Sequence, residues 1–136
     1  MAANVLVDAS FLVALINRRD RNHAWAAAQT LTFQRPWKTC EPALSEAFYN
    51  LGPPGSPRLI EMLSRRAVIC GLPINEHLDE IIALLRKYAD VPMSLADACL
   101  VRMSEVFSDP MLLTTDSDFH IYRRHGRQVV PHVSPR

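Results

Sequence analysis

The sequence predicts an α/β fold in which a central parallel β-sheet is flanked by helices on both faces. Three observations carry that expectation. Short apolar runs of strand character, at 4–8, 67–70 and 111–115, alternate with longer stretches of helical periodicity. The first run stops at an acid, Asp8, and turns straight into a helical pattern, as a buried strand does at the carboxyl edge of a parallel sheet. The chain has 136 residues, which suits one domain over 1–136 with one core, and it shows no repeat, low-complexity segment or internal boundary.

Composition bounds the function classes. Hydrophobic residues make up 49% and charged residues 21%, an ordinary globular balance. No apolar run approaches the roughly 18 residues that would span a bilayer, so no membrane segment is expected. The first residues carry no basic stretch and Asp8 interrupts the apolar run, so no signal peptide is expected and the location is read as cytoplasmic. Cys40, Cys70 and Cys99 are odd in number and widely spaced in apolar or helical contexts, and read as reduced core residues. The net charge of +1 excludes no partner. If four acids were neutralised by metal, 15 basic residues would stand against 10 acidic ones. The pairs Arg18-Arg19, Arg65-Arg66, Arg86-Lys87 and Arg123-Arg124 then become phosphate contacts or plain solvated surface.

Each element has its own warrant. Val5, Leu6 and Val7 make a buried strand. Ser10 is placed to cap the following helix, whose apolar face is Phe11, Leu12, Leu15 and Ile16. A polar turn at 17–22 leads into an Ala-rich helix over 23–33, with Trp25, Ala28 and Leu31 inward. Residues 36–40 are ambiguous and are read as a brief second strand. Pro42 suits the first turn of the next helix, with Ala43, Leu44, Ala47, Phe48 and Leu51 at helical spacing. Gly52-Pro-Pro-Gly55 ends it, and Ser56-Pro57 starts another with Leu59, Ile60 and Leu63 as its stripe. After the strand at 67–70, a long helix begins near Asn75 with Leu78, Ile81, Ile82, Leu85 and Tyr88 on one face. Pro92-Met93-Ser94 opens a helix to about Phe107 that is apolar almost all round and therefore buried. A strand at 111–115 ends at Asp116, a short helix runs from Ser117 or Asp118 through Arg123, and 128–133 is the last strand.

This order brings four acids to one edge, because strand carboxyl ends and the amino ends of the following helices share it. Asp8 and Asp116 each follow a strand. Asp97 lies three residues past the cap Ser94, and Glu46 in the second turn of its helix has the reach of an extra methylene. Asp118, two residues past Asp116, is near enough to join them. Each has a bland role available: Asp97 a capping box with Ser94, Asp116 or Asp118 a cap, Glu46 a solvated helix residue. Together they do not. Two carboxylates about 5 Å apart at an effective dielectric of about 20 repel by about 3 kcal/mol, so a cluster of four calls for a cation. Hard oxygen ligands select Mg²⁺ or Mn²⁺ over Zn²⁺, and such ions support phosphodiester cleavage. No G-x-x-x-x-G-K-[ST] loop is present to cradle a nucleoside triphosphate. The five histidines show no paired ligand spacing.

Four segments resemble, in order, the motifs of PIN-domain ribonucleases, and most closely those of VapC-type toxins of type II toxin–antitoxin systems. They are Val-Leu-Val-Asp8-Ala-Ser-Phe-Leu, Ala-Leu-Ser-Glu46-Ala-Phe, Met-Ser-Leu-Ala-Asp97-Ala and Leu-Leu-Thr-Thr-Asp116-Ser-Asp118-Phe. The third is the most specific, and the match covers nearly the whole chain. The resemblance implies a PIN-like three-layer fold and a metal-dependent endoribonuclease. In it Asp8, Glu46, Asp97 and Asp116 bind Mg²⁺ or Mn²⁺, with Asp118 as a helper. It implies in-line attack by water, leaving 5′-phosphate and 3′-hydroxyl ends, with Ser10 and Thr114 or Thr115 as hydroxyls that orient the carboxylates. It further implies a transfer RNA or ribosomal RNA substrate, a homodimer and an inhibitory cognate antitoxin. Two readings compete. One is a catalytically silent PIN-like protein that binds RNA or a partner. The other is a phosphoacceptor using Asp8, which lacks the second acid of a D-x-D pair because position 10 is serine.

Overall fold

The computed structural model describes residues 2–135, and its centre is β1 (Asn4–Val7), the apolar run ahead of Asp8. β1 pairs in parallel with β2 (Trp37–Thr39) on one side and with β4 (Pro110–Leu113) on the other. β3 (Val68–Cys70) extends the sheet beyond β2, and β7 (His132–Val133) extends it beyond β4. All four pairings are parallel, giving the order β3-β2-β1-β4-β7. The chain builds outward from β1 in one direction, then returns to build from β1 in the other. That reversal leaves a crevice beyond the carboxyl ends of β1 and β4, the place where open α/β sheets bind ligands.

The expected layers are present because β1 alternates sides. Val5 and Val7 pack with α1 (Ala9–Ile16), α2 (His23–Gln29) and most of α3 (Glu41–Ser64) in one core. Leu6 faces the other way, into a second core with α4 (Leu78–Lys87) and α5 (Leu95–Val106). α5 is buried on most sides, as its composition requires: Ala96, Ala98 to Val101, Met103 and Ser104 are all inaccessible. Among the described residues no helix is long and apolar enough to cross a membrane.

Several expectations need correction. The Ala-rich helix stops at Gln29, so Leu31 falls in the turns beyond it and is 90% exposed; Ala26, not Ala28, is its buried residue. Gly52-Pro-Pro-Gly55 does end its helix, but the next one starts at Pro53 and not at Ser56. The helix breaks at the single residue Gly52 (φ 61°, ψ −167°) and resumes at once, with Pro53 and Pro54 in the first turn of its second half. The cause is local: a residue before proline is pushed out of the helical region, while proline itself suits a helix start. Ile60 lies on the outer side of that second half. A 3₁₀ turn at Ile74–His77 precedes α4, and Leu78 is exposed. Ser117–His120 is a 3₁₀ turn, not a helix reaching Arg123. The last strand divides, because Gln128–Val129 (β6) turns back onto Arg123–Arg124 (β5) while β7 alone joins the main sheet. Cys70 is exposed at the end of edge strand β3, whereas Cys40 and Cys99 are buried.

The backbone at Gly52 lies where only glycine is at ease, and an added Cβ would meet nothing nearer than Pro54 Cδ at 3.8 Å. Gly52→Ala is therefore expected to cost about 1–3 kcal/mol from backbone strain alone. Urea unfolding should show a lower midpoint at unchanged slope, and an unmoved midpoint would show that the break tolerates a side chain.

Candidate active site

Asp8 is the anchor of the crevice. It caps α1, the role expected of Ser10: its Oδ1 accepts the Phe11 backbone N–H at 2.9 Å. The same oxygen accepts the Ser10 hydroxyl at 2.7 Å. Oδ2 accepts the Thr114 hydroxyl. Both hydroxyls relay onward to the neighbouring strand end. Ser10 Oγ accepts the Thr115 backbone N–H at 2.9 Å, and Thr114 Oγ accepts the Asp116 backbone N–H at 2.9 Å. Asp8 N–H donates to the Leu113 carbonyl at 3.4 Å, continuing the ladder between β1 and β4. Two sequence-distant turns are thus tied together around one carboxylate. Thr115 takes part through its backbone N–H, Thr114 through its hydroxyl. An ionised carboxylate has about four acceptor positions, and the three hydrogen bonds to Asp8 leave about one.

The other acids are held less tightly. Asp97 completes a capping box: Ser94 Oγ accepts the Asp97 N–H at 3.0 Å, and Asp97 Oδ2 accepts the Ser94 N–H at 3.3 Å. That oxygen also accepts the Tyr122 hydroxyl at 3.0 Å. The cap and the cluster are therefore compatible roles, since Oδ1 is not used by either. Asp116 Oδ1 accepts the Asp118 N–H at 2.9 Å and so starts the 3₁₀ turn. Glu46 stands exposed on the second turn of α3.

Electrostatics show which groups sense one another. Burial raises Asp8 from the usual 3.8 to about 6, against the pull of its three hydrogen bonds, and Asp116 adds to the rise. Glu46 is raised by desolvation, then by Asp97 and Asp116. Asp116 is raised by desolvation and, against its bond from Asp118, by the charges of Asp97 and Asp118. Asp8, Glu46, Asp97, Asp116 and Asp118 therefore form one repelling set. Among the described residues the ion pairs are Glu61–Arg65 and Arg102–Glu105, so none of the five has a cationic side chain as partner.

The donor set fits a hard divalent cation. All the groups are carboxylates, which suit Mg²⁺ or Mn²⁺. Among the described residues no three Asp, Glu, His or Cys side chains already enclose an ion site. Mg²⁺ keeps several waters and is commonly held by one or two carboxylates directly, so an open cluster suits it better than it would suit the closed tetrahedral cage of structural Zn²⁺.

Residues 5–124 match the family model described as PIN domain. The chain belongs to the PIN domain family. No curated protein matches it. PIN domains are generally nucleases; in this one Asp8 and Asp116 follow the adjacent strands β1 and β4, and Glu46 and Asp97 lie on α3 and α5.

Two residues beside the acids, one in space and one in sequence, escape a reading by motif. Tyr122 packs its ring edge-on against Tyr88 and Phe119, at 5.1 and 5.3 Å between centroids, and so aims its hydroxyl at Asp97. Burial and the carboxylates around it push that phenol upward, so it stays a donor. Its signal was the Phe119–Tyr122 spacing just past Asp116. Tyr49 lies one turn beyond Glu46 on α3 and is 87% exposed, an unusual state for an aromatic ring; no motif marks it.

Two outcomes follow. The folded chain holds a proton on Asp8 between pH 3.8 and about 6 that the unfolded chain releases, so this contribution to stability is full below the lower value and lost as pH rises through about 6. The difference amounts to about 3 kcal/mol. In EDTA, Asp8→Asn should therefore gain stability relative to wild type between pH 4.5 and 7.5; parallel pH profiles of the melting temperature would contradict a proton-holding Asp8. Tyr122→Phe removes one bond to Asp97 and should lower metal affinity by about 10–100-fold. Calorimetric Mn²⁺ titration reads this directly, and an unchanged affinity would leave Tyr122 as core packing only.

Proposed function

We propose that this PIN domain is a metal-dependent endoribonuclease, working with Mg²⁺ or with Mn²⁺ as a substitute, and is the toxin of a type II toxin–antitoxin pair. In this role it cuts transfer RNA or ribosomal RNA in the cytoplasm and thereby inhibits translation, as a homodimer held in check by a cognate antitoxin. The observation that supports the nuclease is that acids from four separate segments raise one another, Asp116 acting on Asp8 and both Asp97 and Asp116 on Glu46, with no cationic partner among the described residues. The four motifs in order support the toxin.

The ion, when bound, supplies neutralisation of the phosphate charge and activation of water. The chain's own groups do the rest. Ser10 and Thr114 fix the Asp8 carboxylate, and Tyr122 fixes Asp97. Asp116 and the longer, more exposed Glu46 complete the carboxylate set, with Asp118 beside them. The exposed ring of Tyr49 is available to stack an unpaired base, the usual handle for single-stranded RNA. An open crevice suits a polymer substrate better than a small metabolite, which is usually enclosed.

The open spacing of the acids favours one alternative, a PIN-like protein that binds RNA or a partner without cutting. The deciding experiment incubates the protein with total cellular RNA in Mg²⁺, Mn²⁺ or EDTA, beside Asp8→Asn and Asp97→Asn. Discrete fragments with 5′-phosphate ends are expected only with metal, and each variant should lose more than about 100-fold, the upper range for losing a mere orienting partner. Cleavage that survives EDTA, or a fully active Asp97→Asn, would sink the assignment. RNA binding without any cleavage would favour the silent protein.

A further inference from the structure

The acids leave the chain's basic residues unexplained, and the two ends of α1 meet opposite charge. α1 begins beside Asp8 and ends at Ile16; eight residues make about 12 Å. At its far end three clefts run into one another. The first, about 550 Å³, is lined by Arg18 and Arg19 against Leu51 and Pro54. The second, about 630 Å³, shares Arg18 and Pro54 and adds Arg35 and Arg58. The third, about 100 Å³, shares Arg35 and Arg58 and adds Arg65 and Glu61.

Five of the 15 basic residues thus line one groove. Its one acid, Glu61, is already paired with Arg65 at 2.8 Å. Arg18, Arg19, Arg35 and Arg58 are exposed and, among the described residues, in no ion pair. Two members of the other basic pairs differ. Arg123 spends its guanidinium on the carbonyls of His120, Ile121 and Tyr122, and Arg66 on those of Leu63 and Ser64. Among the described residues the four groove guanidiniums have no ion pair, though that of Arg35 lies over the Trp37 ring at 4.9 Å; they repel each other around one groove, and an anion removes that repulsion. Their planar forks match phosphate oxygens. The groove offers its charges in a row, along joined clefts, which suits a ligand with one charge per repeat.

We infer that this groove binds the sugar–phosphate backbone of RNA on the flank of the bond cut at the acids, an inference that rests on the ribonuclease reading. A helical strand carries one charge per 3.4 Å, so the length of α1 corresponds to about four nucleotides between crevice and groove. Binding there holds the substrate through its backbone and leaves base reading to the crevice.

The test is fluorescence anisotropy of a fluorescein-labelled single-stranded RNA of mixed sequence with the full chain in EDTA, over a salt series. Wild type is compared with Arg18→Gln/Arg58→Gln, with the same positions changed to Lys, and with Arg86→Gln/Arg127→Gln as a control elsewhere; thermal unfolding verifies each variant. Each lost phosphate contact removes about 0.7 from the slope of log affinity on log salt. The groove pair should therefore lower the slope by about 1.4 and weaken binding at low salt at least about tenfold, while the Lys pair keeps the slope. A wild-type slope in the groove pair would overturn the inference. So would an equal loss in the control pair, or displacement of RNA by poly-glutamate at matched charge, which would mark the groove as a peptide site. The two readings separate cleanly. Groove-dependent binding without cleavage by wild type keeps the groove and removes the nuclease, whereas cleavage with groove-independent binding does the reverse.

Discussion

The crevice depends on one buried carboxylate. Asp8 sits at the end of the central strand, 5% exposed, and takes hydrogen bonds from its own helix and from the end of β4. Without them, burying that charge would cost several kcal/mol. With them, the turn after β1 and the turn after β4 are held in one geometry, because the same hydroxyls that serve Asp8 also accept the N–H groups of Thr115 and Asp116. Asp116 is thereby placed by Asp8 and not only by its own strand. The bonds do not cancel the cost of burial, which still lifts Asp8 to about 6. An anchor that is over-determined in position and uncomfortable in charge is well disposed toward a cation.

The same arrangement divides labour between rigid and adaptable groups. Asp8 is fixed through both oxygens and Asp97 through one, by Tyr122 and the backbone of Ser94. Glu46 is exposed on α3 and restrained by little. A site of this kind presents a firm edge and a movable arm, which suits an ion that holds its waters and a substrate that arrives from bulk solvent. Charge is also segregated along α1, with acids at its amino end and arginines beyond its carboxyl end. In the proposed ribonuclease, a polyanion repelled by the bare acids would be drawn to the groove, and the positive end would recruit the substrate of the negative end.

Much of this was legible in the residues. The Val5-Leu6-Val7-Asp8 run announces a buried strand ending in an acid, and Ser94 with Asp97 announces a helix start, because both patterns are local and chemically specific. Errors fell where local signals were weak or divided. Gly52-Pro-Pro-Gly55 reads as a stop, yet the second helix could resume at once because prolines suit its first turn. Leu31 reads as core, yet its helix ended two residues earlier. Residues 128–133 read as one strand, yet Val130 and Pro131 carry the chain from a hairpin to the main sheet. Ser10 was read as a cap when it serves the cap, since both sit at the same helix start.

By itself the sequence determined the fold class and most of the strand and helix order, and it singled out four acids as candidates, because hydrophobic period and strand-end acids are properties of short segments. Only the tertiary structure decided what those acids touch. The bonds from Thr114 to Asp8 and from Tyr122 to Asp97 join residues 106 and 25 positions apart. The arginine groove likewise gathers the end of α1, the approach to β2 and the second half of α3. No periodicity encodes such meetings. They arise when two cores close on opposite faces of one sheet and fix where each segment ends.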